Sequence, residues 1–228
     1  MLRAIIFDFD GVIVDSEPVI LELTQRMAAR EGWALSAEEY YRDYLALDDR
    51  GTVEHLFRSH GKDAGAARRD ELLQWKSAAY AEAIRDGLRA VPGAAEFVQR
   101  CRSAGYPLAI ASGSLREEVE SLLSQLGLRQ HFSVIATADD CAHSKPDPGI
   151  YLEALARLQR LEAFGEDRLT AAECLAIEDA PAGVNAAHAA GMKCLAITHS
   201  RPLGELGHAD WVFDDFGSAA IEVIAKSL

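Results

Sequence analysis

The chain lacks most marks of a secreted or membrane-bound protein. Its four cysteines, Cys101, Cys141, Cys174 and Cys194, form no Cys-x-x-Cys, and none is followed by histidine at zinc-site spacing, which argues against a structural zinc site. The single asparagine, Asn185, precedes Ala-Ala, so there is no glycosylation sequon. No apolar run approaches the roughly 18 residues that would span a bilayer. The first residues carry acid where a secretory signal would carry a long apolar region. Cys174 and Cys194 fall in apolar, strand-like runs and read as core thiols. A reducing cytoplasm is therefore the expected compartment. Positive charge is also scarce, with 23 Lys and Arg against 36 Asp and Glu, a formal net charge of -13. That balance argues against nucleic acid and anionic membranes as partners. It leaves room for a phosphorylated substrate, provided the site supplies its own local positive charge.

What is present is a chain of 228 residues, 49% hydrophobic, able to bury a proper core. Strand-like runs recur at residues 4–9, 107–112, 132–137, 173–178, 193–197 and 211–213. Helical spacing fills the intervals at 94–104, 115–126, 148–160, 182–190 and 218–226. Such alternation predicts right-handed βαβ units and a mostly parallel, Rossmann-like α/β sheet. Gly105, Gly127 and Gly191 each follow a helical run, as a helix-ending glycine does. One interval breaks the rhythm. From Asp15 to Arg89 no strand is evident, and Val19, Leu23 and Met27, then Leu72, Trp75 and Ala79, keep helical spacing. The expected organisation is an α/β core of residues 1–14 and 90–228 with an inserted α-helical cap domain, 15–89. A helical arm or dimerisation surface is the alternative. Residues 160–172, including Gly165-Glu166-Asp167-Arg168, read as a surface loop.

The opening strand ends in acid: Phe7-Asp8-Phe9-Asp10-Gly11. Burying an unpaired carboxylate costs several kcal/mol, so a buried strand has no structural use for Asp8. Two residues apart on a strand, Asp8 and Asp10 point to one side, where they repel unless a proton or a cation relieves them. Gly11 lets the chain turn away at once. A second acidic strand end follows in Ile177-Glu178-Asp179-Ala180, and hard cations such as Mg²⁺ take carboxylate oxygens. Ser112-Gly113-Ser114 ends another strand before a helix whose N-terminus suits a phosphoryl oxygen, although an ordinary helix cap would use the same serines. In His143-Ser144-Lys145-Pro146-Asp147-Pro148 two prolines stiffen the loop, and Pro148 could open a helix. Alone, Lys145 would be a surface lysine; beside carboxylates it can offset their repulsion and hold phosphate.

In this order the elements resemble the haloacid dehalogenase superfamily of phosphatases and phosphomutases. Asp8-Phe9-Asp10-Gly11-Val12-Ile13-Val14-Asp15-Ser16-Glu17 resembles its first motif, Ser112 its second, Lys145-Pro146 its third, and Glu178-Asp179-Ala180-Pro181-Ala182-Gly183-Val184 its fourth. The resemblance covers the whole chain and lies nearest the β-phosphoglucomutase and phosphoglycolate-phosphatase-like group, whose helical cap follows the first motif. It implies that Asp8 is the nucleophile and Asp10 the general acid and base. Mg²⁺ would be held by Asp8, the Asp10 carbonyl and Asp179, with Glu178 assisting. Ser112, Gly113 and Lys145 would bind the phosphoryl group. Arg50 and Lys76 fall where related caps offer basic groups to the leaving portion, or else are solvated helix cations.

The implied reaction is Mg²⁺-dependent hydrolysis of a small phosphorylated metabolite through an aspartyl-phosphate. Asp10 argues against dehalogenation, because dehalogenases lack the second acid of the first motif. The β-phosphoglucomutases carry a cap histidine a few residues after that motif, and Ile20 stands in the equivalent place, which argues against a phosphomutase. A phosphoacceptor receiver is about half this length and keeps its acids adjacent; a non-catalytic phospho-ligand binding protein of this fold would usually lose Asp8, Asp10 or Lys145. A monomer and a homodimer are both compatible with the sequence.

Overall fold

The computed structural model describes residues 1–45, 47, 49–165 and 167–227, the side chain of Ser227 excepted. The chain divides into two compact units, Met1–Asp15 with Leu88–Leu228, and Ser16–Gly87. Among the described residues Ser16–Gly87 contains no strand and four α-helices, α1 (Glu17–Arg30), α2 (Ala37–Asp43), α3 (Asp49–Ser59) and α4 (Gly65–Ala83), the last running into a 3₁₀ turn at Ile84–Asp86. Ser36 caps α2 by accepting the Glu39 N–H at 3.1 Å, the usual service of serine at a helix start. Met27, Ala28, Tyr40, Tyr44, Val53, Leu56, Phe57 and Leu72 form this unit's own core. Expected core positions Leu23, Met27 and Leu72 are buried, whereas Val19 and Trp75 are half-buried.

The larger unit is built on one six-stranded parallel sheet. Its strands are β1 (Ala4–Phe7), β2 (Leu108–Ala111), β3 (Val134–Ala136), β4 (Cys174–Glu178), β5 (Lys193–Ile197) and β6 (Trp211–Phe213), in the order β3-β2-β1-β4-β5-β6. β1, β2 and β4 bury every residue, the pattern of parallel strands covered on both faces. Helices α5 (Ala94–Ser103), α6 (Arg116–Gln125), α7 (Gly149–Leu158), α8 (Pro181–Ala189), α9 (Leu203–Leu206) and α10 (Ile221–Ser227) complete it. Strand alternation assigns the faces. Ala4, Ile6, Ala109, Ala176 and Cys194 pack with Tyr151, Ala154 and Leu158 of α7 and with Val184 and Ala187 of α8. Phe7 lies edge-on to Phe97 of α5, ring centroids 6.1 Å apart, and to Phe132 at 5.8 Å.

This topology makes β1 the switch strand. The chain runs from β1 outward through β2 to β3, then returns to β4 on the other flank of β1. Ligand crevices in open α/β sheets lie outside the carboxyl ends of the strands at such a point. Gly105, Gly127 and Gly191 take φ of +90°, +67° and +81° just past α5, α6 and α8, as helix-ending glycines do.

Several expected boundaries are corrected. β1 stops at Phe7 rather than Phe9, because Gly11 turns the chain back and Phe9 O accepts both the Ile13 and Val14 N–H groups. The relation of Asp8 to Asp10 is therefore set by a turn and not by strand alternation. Pro148 stands at the cap position before α7 rather than inside it. Residues 160–172 are more than a surface loop: Phe164 and Leu169 are buried in the main core, and short 3₁₀ turns occupy Glu162–Phe164 and Ala171–Glu173. Within that segment Glu166 lies outside the described residues. All four cysteines are free thiols, and Cys101, Cys174 and Cys194 are buried. Among the described residues no helix is long and apolar enough to cross a membrane.

Phe7 joins the sheet to both Phe97 and Phe132, so Phe7→Ala should lower stability by about 3–5 kcal/mol. Urea unfolding checks this; a loss below about 1 kcal/mol would show that the site collapses without cost.

Candidate active site

Three chain segments converge at the carboxyl edge around β1. Asp8 directly follows β1, Glu178 ends β4, Asp179 comes next, and Lys145 lies on the loop that leads into α7. Lys145 Nζ donates to Asp8 Oδ1 at 2.6 Å and to Glu178 Oε1 at 2.7 Å. Glu178 is wholly buried and Asp8 and Asp179 nearly so. One carboxylate oxygen from each of the three lies within 4.8 Å of the others.

Two glycines let this cluster close. A Cβ at Gly11 would fall on Asp179 Oδ2, and one at Gly183 on the Glu178 carboxylate. Gly11 also has φ of +75°, a conformation that a side chain strains. Any other residue at either position would push an acid out of the cluster.

Burial and mutual repulsion dominate the electrostatics. Burial raises the Asp8 carboxyl well above its ordinary range, the charge of Glu178 adds to this, and Lys145 opposes it. Asp179 is pushed up to about 7 by burial and then by Glu178, against the pull of Ser200, Arg201 and Lys145. Burial alone would lower Lys145, but Asp8 and Glu178 outweigh it and hold the ammonium above its usual value. Three carboxylates against these cations leave negative charge in excess. A cluster of three carboxylate oxygens of this kind fits a hard divalent cation such as Mg²⁺.

The remaining sequence candidates take distinct places. Ser112, Gly113 and Lys145 line one cavity of about 60 Å³ with Cys141, His143 and Ile150. Ser112 is buried and is not a helix cap; its Oγ accepts the Ser114 N–H at 2.9 Å, and α6 begins only at Arg116. Asp10 Oδ2 accepts from Ser114 Oγ at 2.6 Å. In the helical unit Arg50 is exposed and lies 3.4 Å from Glu54. Lys76 is not a solvated cation: it is buried and paired with Asp49.

Sequence reasoning missed three polar partners. Ser114 bonds Asp10, Ser200 donates to Asp179, and Tyr151 OH donates to Glu178 Oε1 at 2.6 Å. Tyr151 carried a readable signal, since a tyrosine on the buried face of a helix needs a partner for its hydroxyl. Ser200, past the end of β5, carried none.

A family model for haloacid dehalogenase-like hydrolases matches residues 2–191. The chain belongs to that family. It is 32% identical to Protein CbbY of Rhodobacter capsulatus over 99% of this chain and 98% of the relative. It is 30% identical to a phosphoglycolate phosphatase of Mesorhizobium japonicum over 95% and 88%. Among solved structures it resembles a CbbY from Rhodobacter sphaeroides in complex with xylulose-(1,5)bisphosphate, with 27% identity, a TM-score of 0.74 and 96% of each chain covered. The matched span contains the whole acid-and-lysine cluster, from Asp8 through Lys145 to Glu178 and Asp179.

The cluster makes a pH-dependent prediction. Without a cation Asp179 has its folded value raised from 3.8 to about 7. Folding then takes up a proton in that window, so this group's stability is full below its unfolded value and is lost as pH rises through about 7. A bound divalent cation relieves that loss. Added Mg²⁺ should raise the melting temperature more at pH 8 than at pH 5; an equal rise at both would contradict this electrostatic picture.

Proposed function

We propose that the chain is a Mg²⁺-dependent phosphoric monoester hydrolase that acts on a small phosphorylated metabolite through an aspartyl-phosphate on Asp8. The observation that carries this reading is the shared contact of Lys145 Nζ with Asp8 and Glu178 beside Asp179. A carboxylate held next to a fixed cation and a candidate metal site is equipped to meet a phosphate dianion. The relatives named for phosphoglycolate and crystallised with a sugar bisphosphate support a substrate of the phosphoglycolate or sugar-phosphate class.

In the proposed reaction an Asp8 oxygen bonds to phosphorus as the bond to the leaving oxygen breaks. Asp10 gives its proton to that oxygen. Water then attacks the aspartyl-phosphate, Asp10 takes a proton back, the acyl-phosphate P–O bond breaks, and inorganic phosphate leaves with Asp8 restored. Asp8, the Asp10 carbonyl and Asp179, with Glu178 beside them, would hold Mg²⁺, which when bound neutralises charge between nucleophile and phosphate. Lys145, Ser112 and the Gly113 backbone hold the phosphoryl oxygens. Asp10 receives the Ser114 hydroxyl, which keeps its carboxylate directed while it waits for a proton.

Hydrolysis is favoured over phosphoryl transfer to a sugar. Ile20, where β-phosphoglucomutases carry a cap histidine, packs against the core of the helical unit and brings no titratable group. The helical unit is read as the cap domain, with Arg50 and Lys76 as its contacts to the leaving portion of the substrate. Cytoplasmic residence belongs to the same reading, since reduced cysteines and metabolite esters share that compartment.

Wild-type protein should release phosphate from p-nitrophenyl phosphate with Mg²⁺ and stop on addition of EDTA. Asp8→Asn should lower turnover by about a thousandfold or more; near wild-type turnover, with deamidation excluded by mass, would contradict the assignment. Arg50→Ala and Lys76→Ala, each assayed on the best substrate from a panel of phosphorylated metabolites, should lower kcat/KM by about fivefold or more. Unchanged values for both would return the two residues to structural roles.

A further inference from the structure

Tyr151 lies six positions after Lys145, on α7, and is wholly buried. Its hydroxyl donates to Glu178 Oε1 at 2.6 Å, the same oxygen that accepts from Lys145 Nζ at 2.7 Å. Lys145 Nζ also stands 5.1 Å from the centroid of the Tyr151 ring, within reach of a cation–π attraction. One side chain thus engages both the lysine and the carboxylate that holds it.

The lysine is poised between two acids at nearly equal distance, 2.6 Å to Asp8 and 2.7 Å to Glu178. Which acid it favours depends on what else each acid binds. Glu178 Oε2 receives the Asp179 N–H at 3.2 Å, and Oε1 shares its charge between the ammonium and the Tyr151 hydroxyl. With the hydroxyl removed, Oε1 has the ammonium alone. In a buried site that change is strongly felt, and it draws Lys145 toward Glu178 and away from the Asp8 side.

We propose that Tyr151 is a positioning residue for phosphoryl transfer: its hydroxyl tempers Glu178 so that Lys145 stays directed at Asp8 and the phosphate. The inference rests on the reading of Asp8 and Lys145 given above. A purely structural tyrosine would satisfy Glu178 and fill space, and its loss would change stability alone.

Tyr151→Phe keeps the ring and deletes only the hydroxyl. The test compares it with wild type, both loaded with Mg²⁺, using p-nitrophenyl phosphate as substrate, orthovanadate as a mimic of the phosphoryl group in transfer, and melting temperature as a control. The expected result is a kcat about tenfold lower, vanadate inhibition weakened by a similar factor, and KM within about twofold. A kcat and a vanadate inhibition constant both within twofold of wild type, whatever the melting temperature does, would overturn the proposal. If Tyr151→Phe does not fold, the hydroxyl proton of the wild-type protein decides. Burial and a carboxylate partner should give it a slowly exchanging low-field resonance that moves when vanadate and Mg²⁺ are added; a resonance that stays in place would overturn the proposal. Wild-type protein without Mg²⁺-dependent phosphatase activity would overturn the underlying reading, and this inference with it.

Discussion

Asp8, Glu178 and Asp179 press three carboxylates into a space from which water is nearly excluded, and much else in the α/β unit is arranged around that cost. Like charges this close and this buried are tolerated only when cations or protons offset them. Lys145 spans two of the acids, the charge of Arg201 reaches Asp179, and Ser200 and Tyr151 supply hydrogen bonds. Gly11 and Gly183 give the acids room. Two of these devices, Lys145 and Tyr151, meet on one oxygen, Glu178 Oε1. The negative charge that still remains is what makes a hard divalent cation the natural completion of the site.

The fold explains how residues so far apart in the chain reach one place. Parallel strands deliver all their carboxyl ends to one edge, and the central position of β1 between β2 and β4 puts Asp8 beside the end of β4. The apolar residues of β1 hold the strand between two helical layers, with Phe7 locked by two edge-on rings on one face and Ile6 packed in the core of the other. A strand fixed that firmly can present a carboxylate at its end with little freedom, which is what an in-line reaction at phosphorus requires.

The parallel sheet was legible because uninterrupted apolar runs such as Leu175-Ala176-Ile177 alternate with helical spacing. The acids were legible because Asp8, Glu178 and Asp179 sit where an apolar strand has no use for charge. Other features depend on the folded backbone. The turn at Gly11 shortens β1, so the link between Asp8 and Asp10 could not be read from strand period. Lys76 reads from the sequence as a cap cation facing the substrate or as a solvated one, since helical spacing alone does not show that it is buried against Asp49. The stretch 160–172 read as polar because Phe164 and Leu169, the residues that anchor it, are isolated among charges. Ser200 joins the cluster only through the path of the chain after β5.

Asp8 as a nucleophile that carries the phosphoryl group itself is the claim on which the account stands. The most direct measurement mixes Mg²⁺-loaded protein with a turned-over phosphate ester, quenches in acid within a single turnover, and maps the protein by mass spectrometry. The account predicts one phosphoryl group, labile to base, on the peptide that contains Asp8. Phosphate release at full rate with no covalent phosphoryl group at any time, or with the group on another residue, would contradict it.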